Sequence, residues 1–325
     1  MCFRSLLKGN FMKSKKMIGN GLLLLTAFIW GTAFVVQRVG MESIEPITFN
    51  AARMGLSALV VGLVALLKRR KEQMLPAKRS AKEQKQYDRN TVTGGIFCGC
   101  FLSLGSILQQ MGLVYTAAGK AGFITAMYIL LVPLIGLIFL RKKNTWLVWF
   151  AVVLGVVGMY FLCVSGEFRI SRGDTLLCIC AVFFSCHILC CDHFARRGDP
   201  IGISAIQFAT VTVISTVAAF VFESPSVEKL TSAILPILYC GLLSGGVGYT
   251  LQVIAQKFTD PTIASLLMSM ESVFAVIAGA ILLHERLNVR EWVGCLLLFV
   301  AVILAQIPLP GTKRRMKNEQ RKEKF

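Results

Sequence analysis

The strongest constraint in this sequence is an internal repeat. A shift of 143 positions lays residues 105–149 without a gap on residues 248–292. Identical residues stand at Gly105/Gly248, Leu108/Leu251, Gln109/Gln252, Thr116/Thr259, Met127/Met270, Gly136/Gly279, Leu140/Leu283 and Trp149/Trp292. Upstream the repeat continues at a shift of 154, as at Pro46/Pro200. Because a repeat of this length constrains the whole architecture, we predict two related halves, 18–165 and 172–307, with eleven extra residues in the charged segment 68–90.

The composition predicts that these halves lie in a lipid bilayer. Of 325 residues, 55% are hydrophobic and only 16% are charged, with a mean hydropathy of +0.66. A soluble domain is less apolar, and a membrane helix needs roughly 20 apolar residues to cross the hydrocarbon core. Runs of this kind cover 18–37, 46–67, 94–115, 120–140, 145–164, 173–191, 201–222, 231–256, 262–283 and 289–307. The predicted fold is therefore an all-α integral membrane protein of about ten transmembrane helices.

The distribution of charge predicts the orientation. The net charge of +18 comes from Lys and Arg in the tails 1–17 and 308–325 and in the even-numbered loops. By the positive-inside rule, both termini and the loop 68–90 are cytoplasmic in a multi-pass protein of the inner or plasma membrane. The first run lacks a cleavage motif and reads as an uncleaved helix, with Met1, Met12 or Met17 as the start. No recognition module accompanies the charge, so nucleic acid is not expected as a partner.

The arrangement of the halves predicts transport. Five helices per half is an odd number, so the second half must enter the membrane with opposite polarity. Inverted repeats are a recurrent plan of secondary transporters, because exchanging the two conformations opens the site to the other side. No ATP-binding loop is found, so a gradient must drive movement. We expect a small-molecule substrate and the lipid bilayer as partners. The sequence leaves open whether the protein also forms a homodimer.

Several motifs resemble those of a known family. They are Trp30-Gly31-Thr32 late in the first run, Pro46 opening the second, the segment 105–109, and Leu283-His284-Glu285-Arg286-Leu287 before Trp292. Over 18–307 the chain resembles the EamA-like branch of the drug/metabolite transporter superfamily, as two tandem domains. The resemblance implies a ten-helix carrier that exports amino acids or other small metabolites. The family's acidic residue before the last helix of each half is present as Glu285, whereas the matching residue of the first half is Lys142.

Glu271 is the one carboxylate near the middle of an apolar run. An acidic residue in lipid at that depth would cost ~2.5 kcal/mol or more, and a helical spacing puts Ala264, Met268 and Ala275 on its face. We therefore expect Glu271 to point into the bundle. There it is a candidate for coupling proton entry to conformational change. The alternative is a structural partner for Arg53 or another polar helix contact.

Arg53 is the one basic residue well inside a run, with Asn50 and Ser57 on its face. A guanidinium there is suited to bind a carboxylate with two parallel hydrogen bonds. Snorkelling of the side chain to the outer interface is the alternative. The equivalent residue of the second half is Gln207, so charge at this level differs between the halves.

Further candidates for a substrate cavity are polar or aromatic residues within the runs. Gln109 and Gln252 occupy equivalent positions and either line a cavity or bond across helices. Trp30 and Tyr128 are placed to stack on a substrate or to anchor at the interface.

The sixth run holds a cluster of Cys and His. His187, Cys190 and Cys191 stand at i, i+3 and i+4, a spacing that a soft metal could use, so a copper or zinc carrier is the alternative cargo. No resident metal or cofactor is expected. The chain lacks the second His of a zinc-protease motif and the G-x-S-x-G of a serine hydrolase, which argues against an enzyme. A non-transporting membrane scaffold is the remaining class, although buried ionisable groups would then be costly without use.

Overall fold

The computed structural model describes residues 2–76, 79–116, 118–163, 171–282 and 288–307. Those residues contain helices and turns and no β-strand. In the first half the helices are α1 (Cys2–Gly40), α2 (Pro46–Gln73), α3 (Ala81–Tyr115), α4 (Ala118–Thr125), α5 (Tyr128–Ile138) and α6 (Trp146–Cys163). In the second half they are α7 (Arg172–Ala195), α8 (Pro200–Phe222), α9 (Val227–Ser232), α10 (Ile234–Tyr239), a π-helical segment (Cys240–Tyr249), α11 (Thr250–Gln256), α12 (Pro261–Met268), α13 (Glu271–Leu282) and α14 (Val289–Gln306).

Many of these helices match the length of a bilayer. Within the described ranges, eight helical stretches are long and apolar enough to cross a membrane, and two shorter apolar ones cover Trp146–Leu162 and Pro261–Ile277. Apolar side chains face outward along them, as with Leu63 at 59% exposed and Phe220 at 72% exposed. Large exposed apolar surface of this kind is suited to lipid. The observed architecture is that of a helical membrane protein.

Three predicted helices are interrupted. The run 120–140 divides into α4 and α5 at Ala126–Met127, and the run 262–283 divides into α12 and α13 at Ser269–Met270. Within 231–256, ten residues take the π-helical form between α10 and α11. The expectation that Ala264 and Met268 share a continuous helical face with Glu271 was therefore wrong, because the helix breaks between residues 268 and 271. Ala275 does lie on the same helix as Glu271, in α13.

The charged segment 68–90 is mostly helical, in contrast to the predicted loop. α2 continues to Gln73 and α3 begins at Ala81. Lys, Arg, Glu and Gln are good helix formers. The start of α3 is also fixed by a capping box, in which the Ser80 side chain accepts from the Glu83 amide and the Glu83 carboxylate accepts from Ser80. Apolar periodicity ends near residue 67, but local propensity continues the helices.

The two halves pack chiefly on each other. α3 lies against α7 and α8, α2 against α8 and the π-helical segment, α1 against α13, and α6 against α14. Small residues permit close approach: a Cβ on Gly31 of α1 would lie 2.6 Å from the Glu271 carbonyl oxygen of α13. The centre of the protein is thus an interface between the halves.

One end of the bundle, which we name the terminal end, carries Asn20, near the start of the apolar stretch Ser14–Gly40 of α1, and the end of α14. Asn20 Nδ2 donates to Gln306 Oε1 over 2.8 Å, and Thr259 Oγ1 donates to Asn20 Oδ1 over 3.0 Å. Arg196 Nη2 reaches the Thr259 carbonyl oxygen at 3.5 Å. Contacts between these four residues hold the beginning and the end of the bundle side by side.

An ion-pair cluster completes the terminal end. Asp192 of α7 accepts from Lys142 Nζ at 2.5 Å and from Arg196 Nη2 at 2.8 Å. Lys142 follows α5 in the first half, so this carboxylate bridges the halves. At the other end, which we name the opposite end, Lys229 pairs with Glu45 across the halves. Both ends of the bundle are therefore tied by charge.

Candidate functional site

A cavity of roughly 490 Å³, including any part open to solvent, lies between the halves. Much of its wall consists of residues at equivalent positions of the repeat. These pairs are Trp30 with Phe184, Phe34 with Ile188, Gln109 with Gln252, Thr125 with Met268, and Tyr128 with Glu271. The cavity is therefore built from the same positions of both halves, although the side chains differ.

The break between α4 and α5 and the break between α12 and α13 meet at this cavity. Tyr128 is the first residue of α5 and Glu271 is the first residue of α13, and they are separated by 143 positions. Tyr128 Oη donates to Glu271 Oε1 over 3.0 Å. Glu271 is 4% exposed, and no Lys, Arg or His of the described residues pairs with it. Glu271 thus faces inward as predicted, held by its own repeat counterpart.

Arg53 also lines the cavity and is held by amide oxygens. Its Nε and Nη2 atoms donate to Asn50 Oδ1 at 3.1 and 2.9 Å, and its Nη1 atom donates to Gln37 Oε1 at 3.0 Å. The side chain is 2% exposed. No Asp or Glu in the described part of the chain forms an ion pair with it. Snorkelling to the interface is excluded by this burial.

The hydrogen bonds leave part of the Arg53 guanidinium without an acceptor. A guanidinium has five N–H groups, and amide oxygens take one each from Nε, Nη1 and Nη2. One N–H on each terminal nitrogen is left without an acceptor among the described residues. Two parallel N–H groups match the two oxygens of a carboxylate. Arg53 can therefore bind an oxyanion while its other contacts stay in place. Ser57, predicted on the same face, instead donates to the carbonyl oxygens of Arg53 and Gly241.

Asn50 and Gln207 stand behind the cavity wall. Asn50 Nδ2 donates to Ser106 Oγ and Ser215 Oγ, both at 3.0 Å, which fixes the oxygen that holds Arg53. Gln207 Oε1 lies 3.1 Å from His187 Nε2, and His187 lines the cavity. These two predicted residues therefore do not line the cavity, but each contacts a residue that does: Asn50 contacts Arg53, and Gln207 contacts His187.

The Cys/His cluster does not assemble into a metal site. His187 Nε2 also lies 3.4 Å from Cys191 Sγ, and Cys191 Sγ lies 3.6 Å from Cys98 Sγ. Among the described residues, however, no group of three or more His, Cys, Asp or Glu is arranged to hold a metal ion. His187 is instead tied to Gln207. The copper or zinc alternative is not favoured.

An aromatic wall and an amide complete the cavity. Trp30 lies 4.6 Å from Tyr249 between ring centroids, and its Nε1 atom donates to the Ser244 carbonyl oxygen of the π-helical segment. Gln252 Oε1 and Thr125 Oγ1 are buried there without a hydrogen-bond partner in the described residues. Buried polar atoms of this kind are normally satisfied, so they mark positions where a solute or water can bind.

The cavity thus contains most of the predicted residues. Trp30, Arg53, Gln109, Tyr128, His187, Gln252 and Glu271 line it. Sequence reasoning missed Gln37, Phe184 and Tyr249. Gln37 stands at the very end of an apolar run and looked like a boundary residue. Phe184 could have been predicted from the repeat, because it is the counterpart of Trp30.

Comparison with known proteins defines the class. The model of the EamA-like transporter family matches residues 17–164 and again 171–306. An uncharacterized transporter of Archaeoglobus fulgidus is 30% identical over 294 residues, which cover 88% of this chain and 84% of the relative. An uncharacterized inner membrane transporter of Escherichia coli (strain K12) is 23% identical, over 88% of this chain and 90% of the relative.

A solved crystal structure shares the fold. It superimposes with a TM-score of 0.70 at 18% identity and covers 90% of this chain and 96% of its own. Together with the cavity between repeated halves, these matches define a helical membrane transporter. The chain belongs to the EamA-like transporter family. The predicted resemblance is confirmed, and with it a small-molecule substrate and a membrane location are implied.

Proposed function

We propose that this protein is a gradient-driven carrier that exports small organic solutes, such as amino acids or related compounds, by alternating access. The observation that carries the proposal is the cavity whose walls come from equivalent positions of both halves and where both broken helices meet. In transporters, discontinuous helices commonly form the substrate site at the interface of the repeats.

The proposed topology is ten transmembrane helices in two inverted five-helix repeats, 18–165 and 172–307. The contact between Asn20 and Gln306 supports an even number of crossings, because it places the start and the end of the bundle on one side. The eight long apolar stretches and the two shorter ones add up to such a number. The positive-inside rule favours a cytoplasmic location for the terminal end.

A carboxylate is the proposed recognition element of the substrate. Arg53 is a buried cation without an acidic partner in the described residues, and one N–H on each of its terminal nitrogens has no acceptor there. A guanidinium stays ionised, so it requires an anion at this depth. Glu271 and a substrate carboxylate are the candidates. If Glu271 pairs with Arg53 only when it is deprotonated, proton and substrate movement become linked through one cation.

Four probes of one shape test the proposal: L-leucine, L-leucinamide, 4-methylpentanoate and 4-methylpentanamide. In that order, the probes carry both an amine and a carboxylate, only the amine, only the carboxylate, and neither group. In proteoliposomes we expect transport of the two acids to exceed that of the two amides. Arg53→Lys keeps the charge but loses the planar fork. It should therefore lower transport of the acids about tenfold or more, with little loss of folded protein.

Arg69→Lys is the matched control, because Arg69 lies on the same helix with a side chain that is 66% exposed. This variant should transport all four probes like the wild type. Equal transport of acids and amides by the wild type, or normal transport of acids by Arg53→Lys, would remove Arg53 from the substrate site. A protein that moves none of the probes and no other solute in a wider screen would fit the scaffold alternative.

A further inference from the structure

Gln37 of α1 controls the position of the Arg53 guanidinium. Its Oε1 atom accepts from Arg53 Nη1 at 3.0 Å and from Gln110 Nε2 at 2.5 Å, while its own Nε2 atom donates to the Ala33 carbonyl oxygen at 3.3 Å. Gln37 is 4% exposed and lines the cavity. The amide is therefore oriented at both ends, with its oxygen toward Arg53.

The charge of this contact is what matters chemically. A carboxylate in the place of Gln37 or Asn50 would neutralise Arg53 from within the protein. The chain instead presents a neutral oxygen at both places, so the cation is oriented but not compensated. A solute anion in the cavity then meets a cation that no acidic residue of the described chain neutralises.

The second half does not repeat this arrangement. The residue equivalent to Arg53 is Gln207, and the residue equivalent to Gln37 is Cys191. His187, which contacts both of these, has Ala33 as its counterpart. A cation held by neutral amides is thus present in one half of the cavity wall. This asymmetry favours one orientation of a bound anionic solute within the cavity.

We propose that Gln37 is a specificity-determining residue that sets the charge preference of the cavity, because its neutral oxygen orients the Arg53 guanidinium without neutralising it. The proposal rests on the proposed function of Arg53 as the site for a substrate carboxylate. It adds that the preference for anions is decided by the residue that positions the arginine.

Binding to the purified full-length protein in nanodiscs tests this inference without a transport assay. Trp30 lines the cavity, so a protein with Trp146, Trp149 and Trp292 replaced by Phe reports binding through its remaining tryptophan. The probes are 4-methylpentanoate and 4-methylpentanamide, and the quantity is the ratio of their affinities. Gln37→Glu should lower the preference for the acid by about tenfold or more, since it supplies an internal anion to Arg53.

Gln37→Met is the matched control, because it removes the amide at similar length and adds no charge. It should lower the preference for the acid clearly less than Gln37→Glu does, because Arg53 then loses one hydrogen bond but gains no internal anion. Asn50→Asp offers a second route should Gln37→Glu fold poorly. It places the same charge against Nε and Nη2, and Ser106 and Ser215 can turn their hydroxyls to donate to it. It should lower the preference in the same way.

The outcomes separate the two proposals. A wild type that prefers the acid while Gln37→Glu and Asn50→Asp keep that preference overturns the role of Gln37 and leaves that of Arg53 intact. A wild type that binds acid and amide equally overturns both. A loss of the preference in Gln37→Met as large as that in Gln37→Glu would assign the effect to the lost hydrogen bond and not to charge, and would overturn the inference.

Discussion

The ion pair between Lys142 and Asp192 should contribute measurably to holding the halves together. The Nζ–Oδ2 distance is 2.5 Å, and the side chains are 40% and 5% exposed. Exposed pairs are worth about 0.2–1 kcal/mol, whereas removing one partner of a buried pair costs about 3–5 kcal/mol. In this pair only Lys142 is exposed, and Asp192 still forms its ion pair with Arg196 when Lys142 is removed. We therefore expect a coupling free energy of about 1–2 kcal/mol.

A double-mutant cycle of Lys142→Ala and Asp192→Asn measures this coupling through unfolding of the protein in nanodiscs. The control cycle uses Arg69 and Asp88, which lie 3.7 Å apart with side chains 66% and 43% exposed. That pair should give about 0.5 kcal/mol or less. A coupling free energy no larger than that of the control cycle would refute a stabilising role of the Lys142–Asp192 pair.

Three more outcomes are expected. Glu271→Gln should fold and lose the pH dependence of transport across the neutral range, because an amide cannot release a proton there; a proteoliposome pH profile like that of the wild type would contradict this. Lys229 lowers the pKa of the Glu45 carboxyl below its usual 4.5 through their hydrogen bond, so the pair stabilises the protein above that pH and loses its effect as the pH falls below it. Lys229→Gln should accordingly lower the melting temperature at neutral pH but not in strong acid, and an equal effect at both would exclude the pair as the cause. Gly31→Ala should destabilise the protein by about 1–3 kcal/mol, because the added methyl group meets the backbone of α13. Gly21→Ala is the control: the space around Gly21 is open, so this variant should be neutral or stabilising by about 0.4–1 kcal/mol. Melting temperatures that shift in the same direction in both variants would contradict the close contact at Gly31.

Much of the fold could be predicted because the bilayer imposes long apolar helices. The interruptions could not. Residues 126–127 and 269–270 break helices inside continuous apolar runs, without glycine or proline at the break, so hydropathy gives no signal. The π-helical segment is rich in glycine, but glycine is equally typical of close helix packing in membranes.

The site was partly predictable for a related reason. Arg53 and Glu271 stood out because charge in an apolar run is costly, and both proved to be buried beside one cavity. Their partners are neutral side chains, which such a run tolerates easily. Gln37 therefore gave little signal. Tyr128 and Glu271 occupy the same position of their halves, but the repeat alone does not predict their contact, because only those equivalent positions that lie close to the axis relating the halves can meet.

That contact has a consequence for the history of such a chain. In a homodimer of identical halves, a residue at this position would meet its own copy across the symmetry axis. Two glutamates so close together could not both ionise in a buried site, and two tyrosines would supply no carboxylate. A phenol that donates to a carboxylate requires two different residues. Duplication and fusion of the gene, followed by divergence of the halves, gives access to such a pair, whereas a symmetric ancestor could not encode it.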